Sequence, residues 1–190
     1  MRKRVFIACL LPEALKEKIR KIQGQFQGLP LRVVPYNNLH LTLVFIGNVR
    51  EDELVKIQEV VNQVASRFQP FEVCLKSLSP GPLPQRPRLI WLELEPSQSL
   101  SELYQSLEQA LVRTPGTGYS QKETRPFKGH ITLARFQRGV RRSFAPRSVS
   151  ERFTIDTLAV MESLLRPKGA FYKAVKKFSL GNDRNPRNKT

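Results

Sequence analysis

Apolar positions along the chain change their spacing several times, and each change marks an element. Val5 to Leu10 is an unbroken apolar run, as in a strand buried on both faces, and Pro12 sits where the first turn of a helix tolerates it. Leu15, Ile19, Ile22 and Phe26 recur at helical spacing, and Gly28 with Pro30 should end that helix. An extended run follows, "NLHLTLVFIG" at residues 38–47, closed by Gly47 and Asn48. A second helix is predicted from Leu54, Ile57, Val61, Val64 and Phe68, with Glu51 to Glu53 opposing the dipole at its start.

Phe71 to Leu78 and Arg88 to Leu94 read as strands, separated by "SPGPLPQRPR", which is too rich in proline for regular structure. Ser99 and Glu102 have the spacing of a capping box. Leu100, Leu103, Leu107 and Leu111 then mark a third helix ending near Thr114-Pro115-Gly116. A strand around "GHITLARF", residues 129–136, and two further extended segments, Phe153 to Met161 and Phe171 to Leu180, complete the pattern. The polar tail 181–190 is expected to be disordered. The chain thus holds two similar blocks of strand, helix and strand. They predict an α+β protein, a single bilobal domain over residues 1–180 in a two-lobed duplicated fold. Each lobe is expected to be a small antiparallel sheet with helices on its outer face, with a cleft between the lobes.

Charge narrows the function. Lys and Arg number 32 against 16 Asp and Glu, for a formal charge of +16, an excess that points to a polyanionic partner, nucleic acid first. A membrane is not expected, since no apolar run approaches the roughly 18 residues of a span and the basic N-terminus passes into a charged helical pattern rather than a cleavage site. Cys9 and Cys74 lie inside apolar runs and read as buried thiols in a reducing, cytoplasmic setting.

Only two histidines occur, His40 and His130, and each is followed by an apolar residue, Thr and Leu. With 8 threonines in 190 residues, finding Thr two places after both histidines by chance has odds of about two in a thousand. On a strand, His40 and Thr42 share one face, as do His130 and Thr132, while the intervening apolar residues face the core. Two imidazoles across a cleft supply a general base and a general acid near pH 7, both of which phosphodiester cleavage needs. Thr42 and Thr132 could donate hydrogen bonds to the charged transition state, and an arginine fork could grip two phosphate oxygens. Nothing supports a metal site or a cofactor: the histidines are 90 positions apart, and no further ligand falls in either motif. There is no Gly-x-Ser-x-Gly elbow and no glycine-rich phosphate loop either.

With "RVFIACLLP", "NLHLTLVFIGNV", "RPFKGHITLAR" and "MESLLRPKGAFYKAVKKFSL" in order, nearly the whole chain resembles the two-histidine phosphoesterase superfamily. More specifically it is similar to the RNA 2',3'-cyclic phosphodiesterases, also called 2'-5' RNA ligases. That family's extended motifs, His-x-Thr-x-x-Phe and His-x-Thr-x-x-Arg, fall on His40, Thr42 and Phe45 and on His130, Thr132 and Arg135. The resemblance implies that His40 protonates the departing O3', that His130 activates water, that Arg135 clamps the phosphate and that Phe45 stacks on the terminal base. It implies an RNA ending in a 2',3'-cyclic phosphate, or a related cyclic nucleotide, as substrate; a monomer is expected as the working form. Reversible 2'-5' joining of RNA ends and silent binding of RNA ends are the alternatives. Gly129 stands where relatives commonly carry proline, which should loosen the entry to its strand. An offset of five would put Phe45 and Arg135 on the faces opposite their own histidines, so each strand must bulge after its Thr or end there. Arg86 and Arg88, with Arg138, Arg141, Arg142 and Arg147, are the expected backbone contacts, Arg141 and Arg142 foremost.

Overall fold

The described strands hydrogen-bond into one antiparallel sheet, in a computed structural model that describes residues 2–83, 85–120, 126–137, 144–167 and 169–181. In chain order the elements are β1 (Lys3–Leu10), α1 (Glu13–Gly24), β2 (Leu31–Val33), a 3-10 turn (Tyr36–Asn38), β3 (His40–Val49) and α2 (Glu51–Ala65). β4 (Phe71–Gly81), β5 (Leu89–Leu94), α3 (Gln98–Arg113), β6 (His130–Phe136), β7 (Arg147–Ile155), β8 (Thr157–Arg166) and β9 (Gly169–Ser179) follow. The sheet runs β7-β4-β5-β6-β3-β1-β8-β9, with β2 on β6.

The α+β class with an antiparallel sheet forms as expected. The expected pair of separate small sheets does not, because β3 and β6 hydrogen-bond across the middle at Leu41 and Ile131. The sheet therefore has two halves joined by a narrow seam. The three helices cover one face, where Leu15 and Ile19 of α1, Leu54 and Ile57 of α2, and Leu103 and Leu107 of α3 share a core with Leu41, Ile131 and Leu133. Phe6, Ala8, Ala159 and Met161 form a smaller apolar cluster. No helix among the described residues is long and apolar enough to cross a membrane.

Several local readings change, and α1 and α2 end at Gly24 and Ala65, short of Phe26 and Phe68. Pro80 and Gly81 belong to β4, opposite Ile90 and Leu89. β7 pairs with β4 only as far as Leu78, so beyond that point β4 has a free edge where proline's missing N–H costs no ladder bond. The cap of α3 is Ser97, whose Oγ accepts the Leu100 N–H at 3.3 Å, rather than Ser99. The run Phe153 to Met161 breaks at Asp156, because β7 joins one half of the sheet and β8 the other. β2 is too short for its alternation to show in the sequence. Cys9 is buried and Cys74 half-buried, and both are free thiols. Residues 182–190 lie outside the described residues, as do Arg138, Arg141 and Arg142.

Candidate active site

At the seam Leu41 and Ile131 point into the core, so their neighbours along each strand point to the opposite face. Continuing the antiparallel register by one residue each way sets His40 opposite Thr132 and Thr42 opposite His130. The two motifs are thereby gathered on one face of the sheet.

Each strand then bulges at the same place. In β3 the partners of Ala8 and Ile7 are Thr42 and Val44, so Leu43 is the extra residue. In β6 the partners of Trp91 and Ile90 are Thr132 and Ala134, so Leu133 is the extra residue. The bulge turns two successive residues toward the core, Leu43 with Val44 and Leu133 with Ala134, all four buried. It returns Phe45 and Arg135 to the histidine face. Phe45 is 70% exposed there, an orientation that core packing does not explain. His40, Thr42, Phe45, His130, Thr132 and Arg135 all line one cavity of ≈ 780 Å³.

Both imidazoles are oriented by their own backbones. His40 Nδ1 lies 2.6 Å from the Asn38 carbonyl and His130 Nδ1 lies 2.9 Å from the Lys128 carbonyl. A carbonyl only accepts, so each Nδ1 carries the proton and each neutral ring keeps its lone pair on Nε2. His40 Nε2 is 2.9 Å from Thr42 Oγ1, which donates to the neutral ring and accepts from the protonated one. Burial pushes His40 down to about 4, partly opposed by the Asn38 carbonyl and assisted by the positive charge of His130 and Arg135. Burial lowers His130 as well, while Glu93 acts to raise it. The ring of His130 rests on Trp91, with centroids 4.3 Å apart. His40 is enclosed by Phe6 at 5.0 Å and by the edge-on ring of Tyr172 at 5.2 Å.

Asn38 carries no motif letter, so the sequence alone does not reveal its part in the site. It is 4% exposed, and its side-chain Nδ2 donates to the Ala170 carbonyl at 2.7 Å while its Oδ1 accepts from the Tyr172 N–H at 3.0 Å. Both bonds go to β9, which also presents Tyr172 to His40. One residue thus fixes the carbonyl that sets the His40 tautomer and the strand that walls its ring. Asn38→Ala is expected to lower kcat about tenfold with little change in KM, the worth of one or two buried hydrogen bonds. Asn38→Asp cannot donate to Ala170 as a carboxylate but can when protonated, so its activity relative to wild type should rise as pH falls. A pH series of the two variants checks both.

Gly129 is held rather than loose: its carbonyl accepts the Leu94 N–H at 3.0 Å, and a Cβ there would stand 3.1 Å from Leu100 Cδ2. Arg86, Arg88 and Arg147 are exposed but do not line the cavity, and Arg147 instead donates to Gln25 Oε1 at 3.0 Å. Arg4, Arg32 and Arg166, which belong to no motif in the sequence, do line it. Among the described residues no three His, Cys, Asp or Glu side chains are grouped to hold a metal ion.

An α+β fold built on one large antiparallel sheet fits the two-histidine phosphoesterases. The sequence profile of the 2'-5' RNA ligase superfamily matches residues 11–166, and the chain belongs to that family. The RNA 2',3'-cyclic phosphodiesterase of Thermus thermophilus is 31% identical over 192 residues, covering 93% of this chain and 90% of the relative. That of Archaeoglobus fulgidus is 29% identical over 182 residues, covering 92% and 99%. A Thermus thermophilus crystal structure superposes with a TM-score of 0.81 at 29% identity, over 95% of this chain and 99% of that one. Escherichia coli LigT in its apo form shares the fold, with a TM-score of 0.76 at 24% identity over 95% and 98% of the chains.

Proposed function

We propose that the protein hydrolyses the 2',3'-cyclic phosphodiester at an RNA end to a 2'-phosphomonoester, by acid–base catalysis without a metal ion. One observation carries this reading: two imidazoles with oriented Nε2 atoms share with Arg135 a cavity that no described carboxylate lines. The names of the curated relatives agree with it. The His130 Nε2 lone pair takes a proton from water as the water oxygen attacks phosphorus. The bond from phosphorus to O3' breaks, and protonated His40 Nε2 delivers its proton to O3'. Arg135 and the two threonines face the oxygens on which negative charge grows.

His40 is neutral in the empty cleft, since its affinity for a proton is depressed to about 4. A bound phosphate anion beside His40 offsets the cost of burying its charge and the repulsion from Arg135, and so restores a proton to His40 when substrate is present. Phe45 stacks on the terminal base, the chain works as a monomer, and a reducing cytoplasm keeps Cys9 and Cys74 as thiols.

The test is a short RNA ending in a 2',3'-cyclic phosphate, incubated with a chelator. The expected product carries a 2'-phosphate, and the rate is unchanged by the chelator. A 3'-phosphate product, or activity that disappears with chelator and returns with zinc, overturns the mechanism. Adding an RNA with a 5'-hydroxyl reads out the joining reaction on the same gel.

A further inference from the structure

Arg32 poses a problem that hydrolysis at one phosphate does not solve. It is the direct cross-strand partner of Arg135, and like charges at such paired positions repel. No carboxylate among the described residues lines the cavity to relieve them. Some cations elsewhere on the surface do have an acidic partner, as in Arg20 with Glu17, Lys18 with Glu151 and Arg50 with Asp52.

The Arg32 side chain extends from β2 in one half of the sheet to the β8–β9 hairpin in the other. A methyl group on Gly169 would stand 3.1 Å from Arg32 Nη1 and 3.4 Å from its Cζ, and Gly169 has φ +120°, a conformation that favours glycine. Gly169 is the strand partner of Arg166, and Arg32 and Arg166, from opposite halves of the sheet, both line the cavity. Arg166 is steadied from below, its Cζ 4.1 Å from the centroid of the Phe171 ring. Beside it Leu165 is 80% exposed and lines the same cavity.

We propose that Arg32 and Arg166 form a second anion subsite, which takes the phosphodiester group preceding the terminal nucleotide of a single-stranded RNA. This rests on the function proposed above. A cyclic phosphate closes the 3' end of its strand, so the next phosphate along that strand lies on the 5' side. Arg135 acts at the reacting centre, where it already bears on the charge of His40, which leaves Arg32 and its planar fork for that next phosphate. Leu165 offers the neighbouring base an apolar wall. The subsite makes an oligonucleotide end, rather than a free cyclic mononucleotide, the preferred substrate.

Three substrates test this: cytidine 2',3'-cyclic phosphate, a dinucleotide with the same cyclic end, and that dinucleotide with an uncharged methylphosphonate linkage. In wild type the dinucleotide should exceed the mononucleotide in kcat/KM by about tenfold, and the methylphosphonate should lose that advantage. In Arg32→Gln/Arg166→Gln the ratio of dinucleotide to mononucleotide should fall toward one, whereas Arg20→Gln, on the outer surface of α1, should keep it. Equal kcat/KM for mononucleotide and dinucleotide in wild type overturns the proposal. So does an equal loss on both substrates in the double variant, which would place these arginines at the reacting phosphate. Should no substrate turn over, the hydrolytic reading fails by itself, and calorimetry with a dinucleotide 2'-phosphate still reads the subsite. Weaker binding in the double variant, by more than for a mononucleotide 2'-phosphate, supports it, and an unchanged ratio of the two refutes it.

Discussion

His40→Ala and His130→Ala each lower turnover of a 2',3'-cyclic phosphate by about 10²- to 10⁴-fold, the usual worth of a positioned acid or base. Their double variant loses far less than the product of the two, since removing either leaves the other without a role. The pH dependence should separate free from bound enzyme. Both histidines are depressed in the empty cleft, His40 from 6.5 to about 4, so the bell of kcat/KM should centre on the acid side of 6.5. The bell for kcat should lie at higher pH, because bound phosphate raises His40. Stability carries the same signature. Between pH 6.5 and 4 the unfolded chain binds a proton that native His40 refuses, so this residue's contribution is held above 6.5 and lost as pH falls through that window. Denaturant titrations of wild type and His40→Gln should therefore converge or cross as pH is lowered, by about 2 kcal/mol at pH 5. An unchanged difference between pH 7 and pH 5 would show that native His40 titrates normally.

Arg135→Gln is expected to cost about 10²- to 10³-fold in kcat, comparable to deleting one charge-stabilising donor from an active site. Arg135→Lys should recover only part of this, because an ammonium keeps the charge but not the fork that engages two phosphate oxygens. A second effect has the opposite sign. The Arg135 cation helps hold His40 below its ordinary range, so its removal should move the limb governed by His40 to higher pH even as the maximum falls. A pH–rate profile of the two variants checks both. A glutamine variant with wild-type kcat would mean that the bulge at Leu133 brings Arg135 to the cleft for binding alone.

Much of this was legible in the sequence, for reasons that can be assigned to particular residues. Helical spacing of Leu100, Leu103, Leu107 and Leu111 survives any tertiary context, since a helix satisfies its own backbone and needs only one face covered. The alternation His40-Leu41-Thr42 likewise dictates that imidazole and hydroxyl share a face whatever strand lies beside them. The need for a bulge followed from counting five residues to Phe45 and Arg135, though only the shifted pairing of Ile7 with Val44 and of Ile90 with Ala134 shows where it falls.

What depended on partners distant in sequence was not legible. The seam between Leu41 and Ile131, the crossing at Asp156 and the hold of Asn38 on Ala170 and Tyr172 all join residues whose nearness the sheet's winding creates. Local residue order is enough to assign which side chains could do the chemistry and which face of each strand they occupy, because local backbone geometry has fixed periods. Which cations line the cleft is set by the folded sheet, with Arg32 and Arg166 inside and Arg86, Arg88 and Arg147 outside, because charge placement follows strand order and register, which no local period encodes.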